Sequence, residues 1–233
     1  MTSDIKIKYV NSTGKTDFEV LVYTTNFSLN TPKTVFSAWQ VLEAQSEVLF
    51  DYPVSLQVGA SYEHLGQTNI AGPFDAGLGS TWSISQDTTG SAAVLKESMY
   101  FDYNSLVIII IIMYVSLFNS DTSAPSNPNN TIVIKNTRPK TWNGRTFDIG
   151  VYKNNRLLIV QKDVKVDDQE DFQLQPKLFF AVARNIKIGQ TFTSAEISSA
   201  FADYDLSDYP DGIVVTLSQA KVGGQYSFSA SPM

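Results

Sequence analysis

The sequence contains no cysteine, so it forms no disulfide and offers no thiolate for a zinc or iron–sulfur site. It has a single histidine, His64. That excludes metal centres built on two imidazoles and leaves a Ser–His–Asp triad one residue to use. No Gly-x-Ser-x-Gly elbow is present, and the stretch Gly77-Leu78-Gly79-Ser80-Thr81 lacks the lysine of a phosphate-binding loop. Charge is sparse, at 17% of residues, and unbalanced, with a net −6. An acidic chain has no cationic footprint for phosphate backbones or anionic lipid, so neither nucleic acid nor a membrane is expected as a partner. Residues Met1 to Val10 lack a charged stretch followed by an apolar one, so a secretory leader is not expected and a cytoplasmic location is. The sequons at Asn11, Asn26 and Asn129 are then expected to be chance matches.

Long apolar runs are absent with one exception. Leu106 to Phe118 includes five consecutive isoleucines, Ile108 to Ile112, and only Ser116 and the Tyr114 hydroxyl are polar. A membrane helix needs about 20 apolar residues, and this run is shorter. Its β-branched content favours a strand covered on both faces. A lipid contact, an oligomer interface and the wall of a pocket are the other readings of the Ile108–Ile112 run, and its low-charge setting makes a homodimer an open expectation.

What is present elsewhere is strands and turns. Asp4 to Val10 and Asp17 to Tyr23 alternate as half-buried strands do, with a turn at Ser12 to Lys15. Two strands flank Pro53, and Ser80 to Gln86 reads as another. The strongest helix signal, about two turns, is Thr193 to Phe201, with Thr193 or Ser194 as cap and Glu196 behind it. Residues 119–130 hold two prolines, four asparagines and four Ser or Thr, a linker composition.

The two sides of that linker resemble each other. Ile5 to Tyr23 parallels Ile132 to Tyr152, and Phe50 to Thr68 parallels Phe172 to Thr191. Pro53 precedes Gly66 by the same interval that separates Pro176 from Gly189, and each glycine opens a Gly-Gln-Thr. The expected fold class is all-β, with two related β-sandwich units: residues 1–118, the linker 119–130, and residues 131–233.

Ala38, Trp39, Phe50, Tyr52, Tyr62 and Gly66 carry an Ala-Trp pair followed by aromatic strands that lead to a glycine. Gln175, Pro176, Phe179, Phe180, Gly189 and Gln190 carry a Gln-Pro strand and a glycine turn, and Ile213 to Ser229 a closing hairpin. This pattern resembles the family of the rhizosphere-expressed protein RhiA, read here as including the pink chromoproteins of oyster mushrooms. The resemblance spans most of the chain outside the isoleucine run and the linker. It implies a cytosolic β protein without recognised catalytic residues. For the fungal branch it implies a small coloured ligand of indolone type, so the chain would be a pigment protein of a fruiting body.

Aromatic residues make up 12% of the chain. Most are core material in a β protein, yet aromatic walls with a few polar groups also hold flat ligands. Trp39, Tyr62, His64 and Trp82 all fall in the first half and are the candidate ligand-binding residues. Asp203, Asp205, Asp208 and Asp211 are spaced before Gly212 and are candidate calcium ligands, although the pattern is not that of an EF-hand. A second acidic stretch, Asp163 to Asp171, reads as a solvated turn. No pair of carboxylates is placed for hydrolysis, and the resemblance together with the aromatic content implies non-catalytic binding of a small aromatic chromophore. The alternatives are a carbohydrate- or protein-binding module, calcium-dependent or not, and a hydrolase using Asp or Glu.

Overall fold

Alternation decides the first strand of the computed structural model, which describes residues 4–28, 35–43, 47–86, 92–98, 131–137, 146–221 and 223–233. In β1 (Ile5–Asn11), Ile5, Ile7 and Tyr9 are buried and Lys6 is exposed. β2 (Glu19–Tyr23) departs from the expected half-buried pattern, because Val20, Leu21, Val22 and Tyr23 are all buried. Val20 and Val22 join the main core, whereas Leu21 and Tyr23 join a second cluster with Ala38, Ala181 and Phe192. A strand covered on both faces has no reason to alternate.

The first half continues with β3 (Phe36–Ser37), β4 (Gln40–Glu43), β5 (Glu47–Tyr52), β6 (Leu56–His64), β7 (Gln67–Ala76), β8 (Thr81–Ser85) and β9 (Val94–Ser98). The chain resumes with β10 (Thr131–Asn136), β11 (Phe147–Lys153), β12 (Arg156–Val164), β13 (Gln169–Gln173) and β14 (Lys177–Ala183). It ends with β15 (Thr191–Phe192), β16 (Ile197–Asp205), β17 (Ile213–Gln219) and β18 (Tyr226–Pro232). The fold is all-β, and among the described residues the only helical elements are two 3-10 turns.

The expected helix at Thr193 to Phe201 is one of those turns, Ser194–Glu196, after which the chain enters β16. Its capping signal is real: the Glu196 carboxylate accepts from the Thr193 backbone N–H at 2.7 Å and from its hydroxyl at 3.0 Å. The cap starts a turn, but Ile197 to Asp205 gain a ladder along β14, and that pairing outweighs a short helix.

Four sheets result, with strand orders β18-β17-β1-β5, β13-β10-β8-β9, β15-β3-β12-β11-β6-β7 and β16-β14-β2-β4. Every sheet takes strands from both sides of residues 119–130. The expected division at that stretch is therefore not a boundary between sheets. The main core gathers residues of all four, among them Ile7, Val22, Val58 and Ile134. The isoleucine run, the linker and Trp142 lie outside the described residues.

Tight turns set the hairpin registers. Leu65 (φ 52°) and Gly66 (φ 74°) connect β6 to β7, and Asn154 (φ 50°) and Asn155 (φ 58°) connect β11 to β12. Two successive positive φ values are what a two-residue hairpin turn requires, and asparagine tolerates them.

In the β6–β11 ladder Gly59 faces Gly150, and the Tyr152 ring lies over both. A Cβ on Gly150 would meet the Ile159 carbonyl oxygen at 2.8 Å and Leu157 Cδ1 at 2.7 Å. Gly150→Ala is expected to destabilise by roughly 1–3 kcal/mol, the usual cost of overpacking. A thermal melt checks this, and an unchanged midpoint would mean the strands shift freely enough to accept a methyl group.

Candidate functional site

The four candidate ligand residues are placed by different elements and take different partners. Trp39 lies between β3 and β4, is fully buried, and meets Phe50 at 6.1 Å and Tyr52 at 5.5 Å, both edge-on. Tyr62 in β6 is buried edge-on against Phe147 at 5.6 Å. His64 closes β6 opposite Gln67 and is half-buried. Trp82 in β8 is buried beneath Phe74. Trp39 and Tyr62 thus present core contacts rather than open ring faces.

Sequence reasoning passed over the residue beside Trp39. β11 ends on Lys153, which is 3% exposed and the only buried charged side chain among the described residues. Its ammonium donates to the Pro53 carbonyl and, at 3.4 Å, to that of Ser55. Nζ stands 4.2 Å from the centroid of the Tyr52 ring, a cation–π distance. The Trp39 indole N–H donates to the Lys153 carbonyl oxygen at 3.3 Å. Trp39, Tyr52 and Lys153 therefore form one unit that ties the β5–β6 connection to the end of β11.

Burial pulls the lysine down to about 8, and Asp4 partly opposes that shift. A dry site disfavours the ammonium, and two carbonyls with one ring replace only part of its hydration. Burial also raises the Tyr52 hydroxyl well above its ordinary range. The signal for Lys153 was in the sequence: Phe147, Ile149, Val151 and Lys153 share one face of an alternating strand.

A different arrangement occurs at β7. Phe74 lies nearly parallel to Trp82, with 7° between the planes and 6.4 Å between centroids. The Phe74 ring is 45% exposed, while the Trp82 indole N–H is anchored on the Ser80 hydroxyl at 3.0 Å. Among the described residues β7 is the terminal strand of its sheet. Leu65 in the preceding turn, Ile70 in the strand and Leu78 beyond it are also exposed. Phe74 is thus a flat aromatic plate, partly open to solvent and backed by the buried Trp82. Nothing local in the sequence marks Phe74, because its exposure follows from which strand ends the sheet.

The four candidate calcium ligands before Gly212 take separate roles. Asp203 is paired with Lys177, and the Asp205 carboxylate accepts from the backbone N–H and hydroxyl of Ser207, capping the second 3-10 turn, Leu206–Asp208. Asp208 and Asp211 are exposed. Among the described residues no three of His, Asp and Glu come together as metal ligands. Spacing along the chain brought these four close in sequence, but extended β16 and the turn after it spread them. In the other acidic stretch, partial burial raises Glu170, with Asp168 and Asp171 adding to the shift.

No protein-family model matches the chain, and no significant match exists among curated proteins or solved structures. No helix among the described residues is long and apolar enough to cross a membrane.

Proposed function

We propose that this is a non-catalytic binding protein that takes a small, flat aromatic ligand against Phe74. The observation that supports it is the exposed Phe74 ring held parallel to an anchored, buried Trp82. A planar ligand extends that stack by one layer, covering apolar ring surface that water otherwise wets. The exposed Leu78 nearby adds apolar area. The resemblance described above supplies the ligand class, a coloured indolone, and with it the reading of a fungal pigment protein in the cytoplasm.

Two measurements test this. A visible absorption band from the native source, with extra mass in the native but not the denatured protein, is expected for a non-covalent pigment. A colourless protein at its sequence mass sinks the pigment reading. Titration with 1-anilinonaphthalene-8-sulfonate, a probe with a flat naphthalene face, then examines the plate itself. Phe74→Ala is expected to weaken probe binding about tenfold, corresponding to about 1.4 kcal/mol of stacking and covered area. Equal affinity in the variant removes Phe74 from the site.

The second reading, a carbohydrate- or protein-binding module, is favoured by the terminal position of β7 and by exposed Leu65 and Ile70 on the same hairpin. An unpaired strand edge with apolar side chains is a template for another chain. Retention on a glycan or peptide array that Ile70→Lys abolishes, with probe binding unchanged, supports that reading over the first.

A further inference from the structure

The four sheets are two pairs of the same construction. In one, the order β18-β17-β1-β5 runs antiparallel, parallel, antiparallel. In its counterpart, β9-β8-β10-β13 runs antiparallel, parallel, antiparallel. The remaining sheets, β16-β14-β2-β4 and β7-β6-β11-β12, are antiparallel throughout, and the second is extended by β3 and β15.

One substitution of labels turns each sheet into its counterpart: β1 for β10, β2 for β11, β4 for β12, β5 for β13, β6 for β14, β7 for β16, β8 for β17 and β9 for β18. Both members of each pair occur in the same order along their half of the chain.

Details follow the same correspondence. The β6–β7 ladder is irregular between Val58 and Ala60, and the β14–β16 ladder between Ala181 and Ala183. These positions are related by the same offset as Pro53 to Pro176 and Gly66 to Gly189. Val58 pairs with Phe74 and Ala181 with Phe201, and both phenylalanines are exposed. The residue after each matching tyrosine is buried and reaches a carbonyl at or just after the proline of the other half. The Thr24 hydroxyl donates to the Lys177 carbonyl at 2.7 Å, and the Lys153 ammonium donates to that of Pro53.

We propose that the chain is a duplicated unit whose two copies exchange strands, so that the partner for which each half is shaped is the other half of the same chain. Four long ladders carry the exchange, β1 on β17, β8 on β10, β2 on β14 and β6 on β11, and β3 adds short pairings with β12 and β15. Among the described residues, β1, β2, β6 and β8 each take one of their two neighbours from the other half. Residues 5–98 without the rest leave β1, β2, β6 and β8 each unpaired along one edge, which is unstable and aggregation-prone in water. Exchange of equivalent elements is the geometry by which two identical subunits interlock. Here the two copies are covalently joined through residues 99–130.

The test cuts the folded full-length protein at a specific protease site inserted within residues 119–130. The expected result is two fragments on a denaturing gel, with elution volume, native mass and a single melting transition unchanged. Fragments that separate under native conditions, each keeping its own melting transition, overturn the proposal. A second variant reads the exchange directly. The chain has no cysteine of its own, so Ser61→Cys with Asp148→Cys places one thiol on each partner of the β6–β11 ladder. Oxidation is expected to join the cut fragments into one band at monomer mass, removed by reductant. Cross-linking only between two chains, at twice that mass, overturns exchange within one chain, as does complete failure of the thiols to join.

Discussion

Trp39→Ala is expected to lower stability by about 4 kcal/mol, the middle of the range for emptying a fully buried tryptophan site. In a chain of this size that corresponds to a fall of roughly 10 °C in melting midpoint. The effect has three sources. The indole is fully buried, so its removal leaves a cavity. Its ring supports Phe50 and Tyr52 edge-on. Its N–H satisfies the Lys153 carbonyl, which is left without that donor. Trp39→Phe separates these contributions by keeping an aromatic ring and deleting the donor. It is expected to cost about half as much, at roughly 2 kcal/mol. If both variants melted with the wild type, Trp39 would not be the support that its packing describes.

Stability is expected to rise as the pH is increased from 8 towards 10. Lys153 has a folded-state value of about 8 against 10.5 for a free lysine. Between those values the unfolded chain carries a proton at this position that the folded chain has released. Stability therefore increases with pH across that window. At roughly 1.4 kcal/mol per unit, the full difference is about 3 kcal/mol.

Tyrosines oppose the trend at higher pH. Burial pushes Tyr23 up to about 12, with Asp203 adding to the shift, and raises Tyr9 and Tyr52 further. Above pH 10 these phenols ionise in the unfolded chain while the folded chain keeps them neutral, so stability falls again. The Tyr9 hydroxyl is buried with no hydrogen-bond partner among the described residues, so no donor there would offset the cost of ionising it in place. Urea denaturation from pH 7 to 11 measures the curve, which should peak near 10. Lys153→Met keeps the apolar stem and should flatten the rising limb while leaving the fall above pH 10. A wild-type profile flat from 8 to 10 would place the ammonium in water rather than under the β5–β6 connection.

Several elements were legible in the residues alone. Alternation located β1, the strands on either side of Pro53, and β8. Proline and glycine spacing suggested a likeness of the two halves, which the proposed duplication takes up. The same alternation carried Lys153 to the inner face of β11, although a lone lysine at a strand end was easily taken for solvent-facing. Other readings failed for physical reasons. The capping signal at Thr193 was correct about a turn and misleading about a helix, because the residues after it gained more from β14 than from helical hydrogen bonds. The four aspartates before Gly212 were near one another in sequence but became an ion pair, a cap and two exposed side chains.

An all-β chain without thiol or multi-histidine chemistry follows from the residues alone, since strand periodicity and composition are local properties. Which strands meet is settled by the assembled fold. Each half has β partners of suitable pattern within itself, and no local signal distinguishes them from those in the other half. Register between distant strands is selected by how all of them together close the core. That choice interleaves the halves, buries an amine beneath Pro53, and leaves Phe74 at the end of a sheet with its face to solvent.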